Sequence, residues 1–261
     1  MSVLTQQPGK ELFPEIAWSK PENKALAGHL LIIGGNKHSI QAPVEAYNYA
    51  DIAGAGTITV ALPDATKKML PPGAPNLEFG GSNPSGSFSQ QAHELLSGLL
   101  RASDATLFCG DLGRNSETAI VLERLLEQSG LIICTKDSVD YFVNAPELIL
   151  NRENTVIVAS FAQIQKLAKN SQFFEPLLFS DSALVLANKL AKLTVTLGAH
   201  IIFEKNCTIF LASRGEVIVT NFKTSFSKWR TKLASEVAVW TMQNKNNVFK
   251  ASATAIAHLT I

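Results

Sequence analysis

The most restrictive feature of this chain is an alternation. A short apolar run closed by glycine is followed by a segment of helical period, and then by another apolar run. The first unit is the clearest. Leu30–Ile33 is uninterruptedly apolar and ends in Gly34-Gly35. A strand buried on both faces reads this way, because neither face carries alternating polar residues. Ser39 can cap a helix whose apolar positions are Ile40, Val44, Tyr47 and Ile52. Pro43 falls near its first turn, where the missing N–H costs little, and Gly54 and Gly56 end it. Thr57–Leu62 is a second buried strand. A strand, a crossover helix and a second strand require a parallel pair with a right-handed connection.

The alternation continues down the chain. Residues 1–27 are polar, contain Pro8, Pro14 and Pro21, and read as an N-terminal arm with room for one helical turn. Residues 28–261 read as a single domain. Residues 71–89, rich in Pro, Gly, Ser and Asn, form a surface loop with a short strand at Leu77–Phe79. Helices are expected over 89–101, 116–128, 160–169, 178–196, 229–243 and 247–260. Strands are expected at Ala105–Cys109, Leu131–Cys134 and Thr155–Ala159. Towards the C-terminus the period switches to short strands at Ile201–Phe203, Thr208–Ala212 and Val217–Val219, with a hairpin turn at Ser213-Arg214-Gly215. The expected fold class is α/β: a mostly parallel, doubly wound sheet with an antiparallel edge.

Composition narrows the function classes. Hydrophobic residues are 46% and charged residues 17% of 261, which supplies a full core and excludes global disorder. Lys and Arg total 23 against 22 Asp and Glu, so bulk charge recruits neither nucleic acid nor anionic membrane. The strip Phe222–Arg230 mixes cations with aromatic rings but is too short to change that expectation. No apolar run approaches the roughly 20 residues of a membrane helix. The start MSVLTQQPGKELF lacks the build of a secretory leader. Cys109, Cys134 and Cys207 are odd in number and lack metal-ligand spacing, so free thiols in a cytoplasmic protein without a bound metal are expected.

In such sheets ligands bind at the carboxyl ends of the strands, and four loops qualify. In Gly34–Ser39, the pair Lys37 and His38 can face an anion over a helix N-terminus. Cys109–Asn115 offers Asp111 and Arg114, which could equally be an ion pair or a cap. Thr135–Asp137 places a carboxylate after a buried strand, for a substrate hydroxyl or for capping. The fourth is the turn between Phe203 and Thr208. His29, His93 and His200 are isolated, and Trp229 and Trp240 read as packing residues. No G-x-S-x-G, H-E-x-x-H or C-x-x-C motif names a reaction.

The order of these segments resembles the ADP- or ATP-dependent NAD(P)H-hydrate dehydratases, which have the ribokinase-like fold. The block GHLLIIGGNKHSIQAPVEAYNYADIAGAGTITVALP, residues 28–63, is similar to the family's opening. CGDLGRN, residues 109–115, resembles the family's G-P-G-L-G-R-D, keeping Gly113 and Arg114. TKDSV, residues 135–139, stands where the family has D-A-D-A-L, with Asp137 at the second aspartate and Thr135 at the first. His258 falls at the usual histidine of the last helix. Three motifs depart. Ser160–Gln163 replaces H-P-G-E, and Glu204–Thr208 replaces K-G-x-x-T, leaving Thr208 and, by a one-residue shift, Lys205. Lys228–Thr231 replaces G-T/S-G-D, which puts Thr231 at the position of the catalytic aspartate.

The resemblance implies a three-layer α/β/α sandwich and an ancestral repair of hydrated NADH or NADPH (NADHX, NADPHX). ADP or ATP with magnesium would be the co-substrate, and a homo-oligomer the assembly. It implies substrate contacts from Asn36, Lys37, Arg114 and Asp137, and nucleotide contacts from Lys205, Thr208, Lys228 and Arg230. The family's glycines bring backbone N–H groups to phosphate, which Trp229 and Arg230 cannot do. Lys223, Lys228, Arg230 and Lys232 cluster there instead, and side-chain cations can replace backbone donors. A threonine is no base near pH 7. Weak or lost dehydratase catalysis, a non-catalytic ligand-binding or scaffold protein, and a small-molecule kinase are therefore three open readings.

Overall fold

The computed structural model describes residues 2–70, 76–224 and 229–259. In chain order the strands are β1 (Ser2–Gln6), β2 (His29–Gly34), β3 (Thr57–Pro63), β4 (Leu77–Gly80), β5 (Ala105–Gly110), β6 (Leu131–Thr135), β7 (Thr155–Ser160), β8 (His200–Lys205), β9 (Thr208–Ser213) and β10 (Glu216–Asn221). The helices are α1 (Pro14–Trp18), α2 (Gln41–Ala53), α3 (His93–Arg101), α4 (Ser116–Leu126), α5 (Asp137–Asp140), α6 (Glu147–Leu150), α7 (Phe161–Asn170), α8 (Ala183–Thr194), α9 (Trp229–Gln243) and α10 (Val248–His258).

All the described strands join one sheet in the order β1-β10-β9-β8-β7-β6-β5-β2-β3-β4. From β4 to β8 every neighbour is parallel, whereas β9 runs antiparallel to both β8 and β10. The continuous apolar runs become the central strands because both of their faces are covered. Leu31 and Ile33 join the core beneath α3, α4, α7 and α8, and Leu30 and Ile32 join the core beneath α2, α9 and α10. The strand period of two thus feeds two separate cores. The architecture is the expected three-layer α/β/α sandwich.

Three local expectations change. Residues 1–27 hold more than an arm with a helical turn, since Ser2–Gln6 lies parallel to β10 on the sheet's edge. It lacks an apolar run because an edge strand is half exposed, and Gln6 anchors it by donating from Nε2 to Ala253 O at 2.9 Å. The buried face of α2 is Ala42, Pro43, Ala46 and Ala50, not the larger apolar residues. Val44 is 46% and Ile52 80% exposed. The reason is α9, which is buried along nearly its whole length and packs on α2, so only small side chains fit between them. Finally, the N-cap position of α2 is Ile40 rather than Ser39, although Ser39 Oγ still accepts from Gln41 N at 3.3 Å.

One charge lies inside this packing. Glu236 on α9 is largely buried, with Lys232 Nζ 4.0 Å from its carboxylate. Burial pushes its pKa up to about 7, and Lys232 only partly opposes that. A carboxyl raised in the folded state costs stability as pH climbs from its unfolded value, near 4.3, through 7. Glu236→Gln is therefore expected to be more stable than the parent at pH 8 by about 2–3 kcal/mol. The two should melt together at pH 4.5. Thermal melts at both pH values check this, and equal melting at pH 8 would contradict it.

Candidate functional site

The site is built where β2, β5, β6 and β7 end. The sharp exit of β2 needs glycine, because a Cβ on Gly34 would come within 2.5 Å of Cys109 Sγ and of Gly110 O. The next residues fold back on themselves. Asn36 Oδ1 accepts from His38 N at 2.7 Å, while its Nδ2 donates to Asp111 O. Gly110 leaves β5 with φ +116° and Asp111 follows with φ +58°. That turn aims the Asp111 carboxylate at α2, where one oxygen accepts from Ser39 Oγ at 2.6 Å and from Ala42 N at 2.8 Å. The N-terminus of α2 is thus closed by a carboxylate from another strand.

This corrects the expected anion site over α2, because Asp111 already occupies that position. Asp111 likewise faces Ser39 and Ala42 rather than pairing with Arg114. Lys37 turns away, with Nζ donating to Pro84 O at 3.1 Å and its N–H to Gly86 O at 3.0 Å.

At the end of β6, Thr135 is buried and its hydroxyl donates to Val158 O at 2.8 Å. Asp137 opens α5, and its Oδ2 accepts from Leu112 N at 2.9 Å. Burial pushes the Asp137 carboxyl above its usual range. The Leu112 N–H draws it back, and the Asp111 charge pushes it further up. Burial also raises the Tyr141 hydroxyl, which donates to Gly113 O. The Cys109 thiol is fully buried and held well above its usual value by burial first, then by Asp111 and Asp137, so it is no nucleophile.

These pieces enclose a cleft of about 750 Å³ lined by Asn36, Asp111, Arg114, Asp137, Tyr141 and Lys166 among others. Its inner wall is rich in acceptor oxygens, and its two cations, Arg114 and Lys166, are exposed at the rim. Among the four candidate substrate contacts, Asn36, Arg114 and Asp137 come together here and Lys37 does not. Among the described residues no group of three or more His, Cys, Asp or Glu side chains gathers in metal-binding fashion.

The candidate nucleotide contacts are dispersed. Lys205 Nζ donates to Asp181 O at 2.6 Å and lies 5.6 and 5.2 Å from the centroids of Phe161 and Phe179. Thr208 Oγ1 donates to Asn221 Oδ1 at 2.9 Å. Neither lines the cleft. Arg230, in the first described turn of α9, donates from Nη1 to Gln163 Oε1 at 3.3 Å. Thr231 beside it is fully buried, and its hydroxyl has no hydrogen-bond partner among the described residues. Lys232 lies by Glu236 and over the Tyr49 ring, on the α2 side. Lys228 lies outside the described residues.

The residue that sequence reasoning passed over is Gln163. It is 6% exposed and every polar atom of its amide is used. Oε1 accepts from Ser160 N at 3.0 Å and from Arg230, while Nε2 donates to Lys136 O at 2.8 Å and to Asp140 Oδ1 at 3.0 Å. A signal existed: S-x-x-Q before an apolar run is a capping box, and Ser160 with Gln163 forms one at the start of α7.

No protein-family model matches the chain, and no curated protein matches it in sequence. Solved structures do match in fold. A ribokinase-like superfamily protein from Enterococcus faecalis V583 superposes with TM-score 0.69 at 17% identity, covering 96% of this chain and 85% of the other. An ADP/ATP-dependent NAD(P)H-hydrate dehydratase from Bacillus subtilis, co-crystallized with ATP and Mg2+, gives 0.63 at 11% identity, covering 95% and 91%. A pyridoxal kinase from Staphylococcus aureus in complex with AMP-PCP gives 0.58 at 13% identity, covering 87% and 84%. At these identities the fold alone is shown, and it is ribokinase-like.

The Asp111 contact is the testable element of the site's geometry. Asp111→Ala strips Ala42 N–H of its acceptor and leaves the start of α2 uncapped. A loss of about 1–2 kcal/mol is expected in denaturant unfolding. An unchanged midpoint would show that α2 does not depend on this carboxylate.

Proposed function

We propose that this chain is a divergent relative of the ADP/ATP-dependent NAD(P)H-hydrate dehydratases that retains a small-molecule cleft and a nucleotide site, with dehydratase catalysis weak or lost. The observation that carries this reading is Thr231. It stands where the family resemblance puts the catalytic aspartate, and it is buried with a hydroxyl that has no partner among the described residues. A hydroxyl donates to an anion but does not accept a proton near neutral pH.

The residues suit a nucleotide's charge. Arg230 lies next to Thr231 on α9, a helix of 15 described residues, and Lys228 precedes both in sequence. A polar hydroxyl buried without a partner costs stability unless a ligand satisfies it. When bound, ATP or ADP with magnesium would supply a phosphoryl group to the hydrate's hydroxyl. Asn36, Arg114 and Asp137, which line one cleft, would hold the substrate, and Asp137 would share a proton, since burial raises its carboxyl. Lys205 and Thr208 belong to the β8–β9 hairpin and would act at the nucleotide's far end.

Two measurements test this. The melting temperature is followed with millimolar ADP, ATP, NAD or NADPH and magnesium. Recovery of NADH from its hydrate is followed at 340 nm. The expected result is a rise with ADP or ATP, about 2.7 kcal/mol at a hundredfold excess over Kd, together with slow or absent recovery. No shift with any nucleotide overturns the nucleotide site. Fast ATP- or ADP-dependent recovery that is ended by Asp137→Ala overturns the loss of catalysis.

A further inference from the structure

Lys136 is held in a backbone conformation that L residues rarely adopt. Its φ is +54° and its ψ −134°, a region whose ordinary occupant is glycine. It sits between β6 and α5, midway along the sheet's C-terminal edge, where strand turns sharply into helix. Such a residue persists only where its surroundings over-determine it, and here they do. Thr135 N–H donates to Ser138 Oγ at 2.9 Å, and Ser138 Oγ is within reach of Phe108 O at 2.9 Å and Thr135 O at 2.7 Å. Lys136 O accepts from Gln163 Nε2 at 2.8 Å, and Asp137 Oδ2 accepts from Leu112 N at 2.9 Å.

None of these bonds uses the Lys136 side chain. Glycine would make all of them without strain, so what the strain retains is the side chain itself. Its stem lies over Gly110, where an added Cβ would meet Lys136 Cβ and Cδ at 3.0 Å. Its ammonium forms a long ion pair with Glu45 Oε2 at 4.0 Å, without a hydrogen bond, and the side chain is 27% exposed. The ammonium donates no hydrogen bond among the described residues. Gln163 meanwhile ties this turn to α9, holding Lys136 O with one end of its amide and Arg230 with the other. One buried glutamine therefore fixes two cationic residues, beside a threonine whose buried hydroxyl has no partner among the described residues.

We propose that Lys136 grips the phosphate of the bound ligand, its ammonium supplying from a strained turn the positive charge that close backbone N–H groups cannot supply in this chain. The inference rests on the nucleotide reading for the identity of the ligand. It assigns to Lys136 a contact that neither the sequence motifs nor the cleft's lining assigns.

The test compares the parent with Lys136→Met, which keeps the stem, Lys136→Arg, which keeps the charge, and Lys136→Gly, which releases the strain. Binding of ADP and of inorganic pyrophosphate is titrated, and melting is recorded without ligand. The expected result is a loss of about tenfold or more in both affinities for Met and Gly, the worth of a charge-assisted hydrogen bond. Arg should stay close to the parent, and Gly should melt no lower than the parent despite its weak binding. Parent-like affinity in both Met and Gly overturns the proposal and leaves the nucleotide reading standing. No binding of either probe by the parent overturns both.

Discussion

The structure depends on burying one sheet on both faces. A parallel strand covered on each side must be apolar along its whole length, and its backbone groups must be paired within the sheet. Leu30–Ile33, Leu107–Phe108 and Ile132–Cys134 meet that demand. The consequence is spatial. Polar chemistry is expelled from the interior and collects where the strands end, on turns that can afford irregular backbone. The residues with positive φ at this edge, Gly35, Gly110, Asp111, Gly113 and Lys136, are the local cost of gathering it there.

Those turns hold one another. Asp111 from the β5 turn closes α2, Asn36 from the β2 turn binds Asp111 O, and Leu112 N holds Asp137 from the β6 turn. Gln163 then links the β6 turn to α7 and α9. The edge is a chain of buried or half-buried hydrogen bonds between loops, each anchored to a rigid strand. Pre-organisation of this kind lets a shallow cleft fix side chains without a metal-like centre among the described residues. The same frame presents the cations Arg114 and Lys166 at this edge.

Much of the fold was legible because its signal is local. Apolar runs closed by glycine marked the central strands, and the switch to short strands marked β8 to β10. The misreadings came from tertiary context. The stripe Val44 and Ile52 has helical spacing, but α9 admits only small side chains, three alanines and Pro43, at that contact. Ser2–Gln6 carries no apolar run because it covers an edge. At the site, Asn36, Arg114 and Asp137 follow from their places after strands, and the structure brings them into one cleft. Lys37 looked equivalent and is drawn off by Pro84 O, a contact across the loop that no pattern encodes. A cap was one of the readings open for Asp111, but that it closes the distant α2 was invisible for the same reason, as was the backbone of Lys136.

The fold is ribokinase-like, and the proposed nucleotide site lies at the start of one helix, α9. In the proposed site, side-chain cations hold the phosphate. The most direct measurement is a calorimetric titration of magnesium ADP at low and at moderate ionic strength. The account predicts one saturable site per chain whose affinity falls as salt screens the partly exposed cations. Absence of binding at low salt, or binding indifferent to salt, would contradict it.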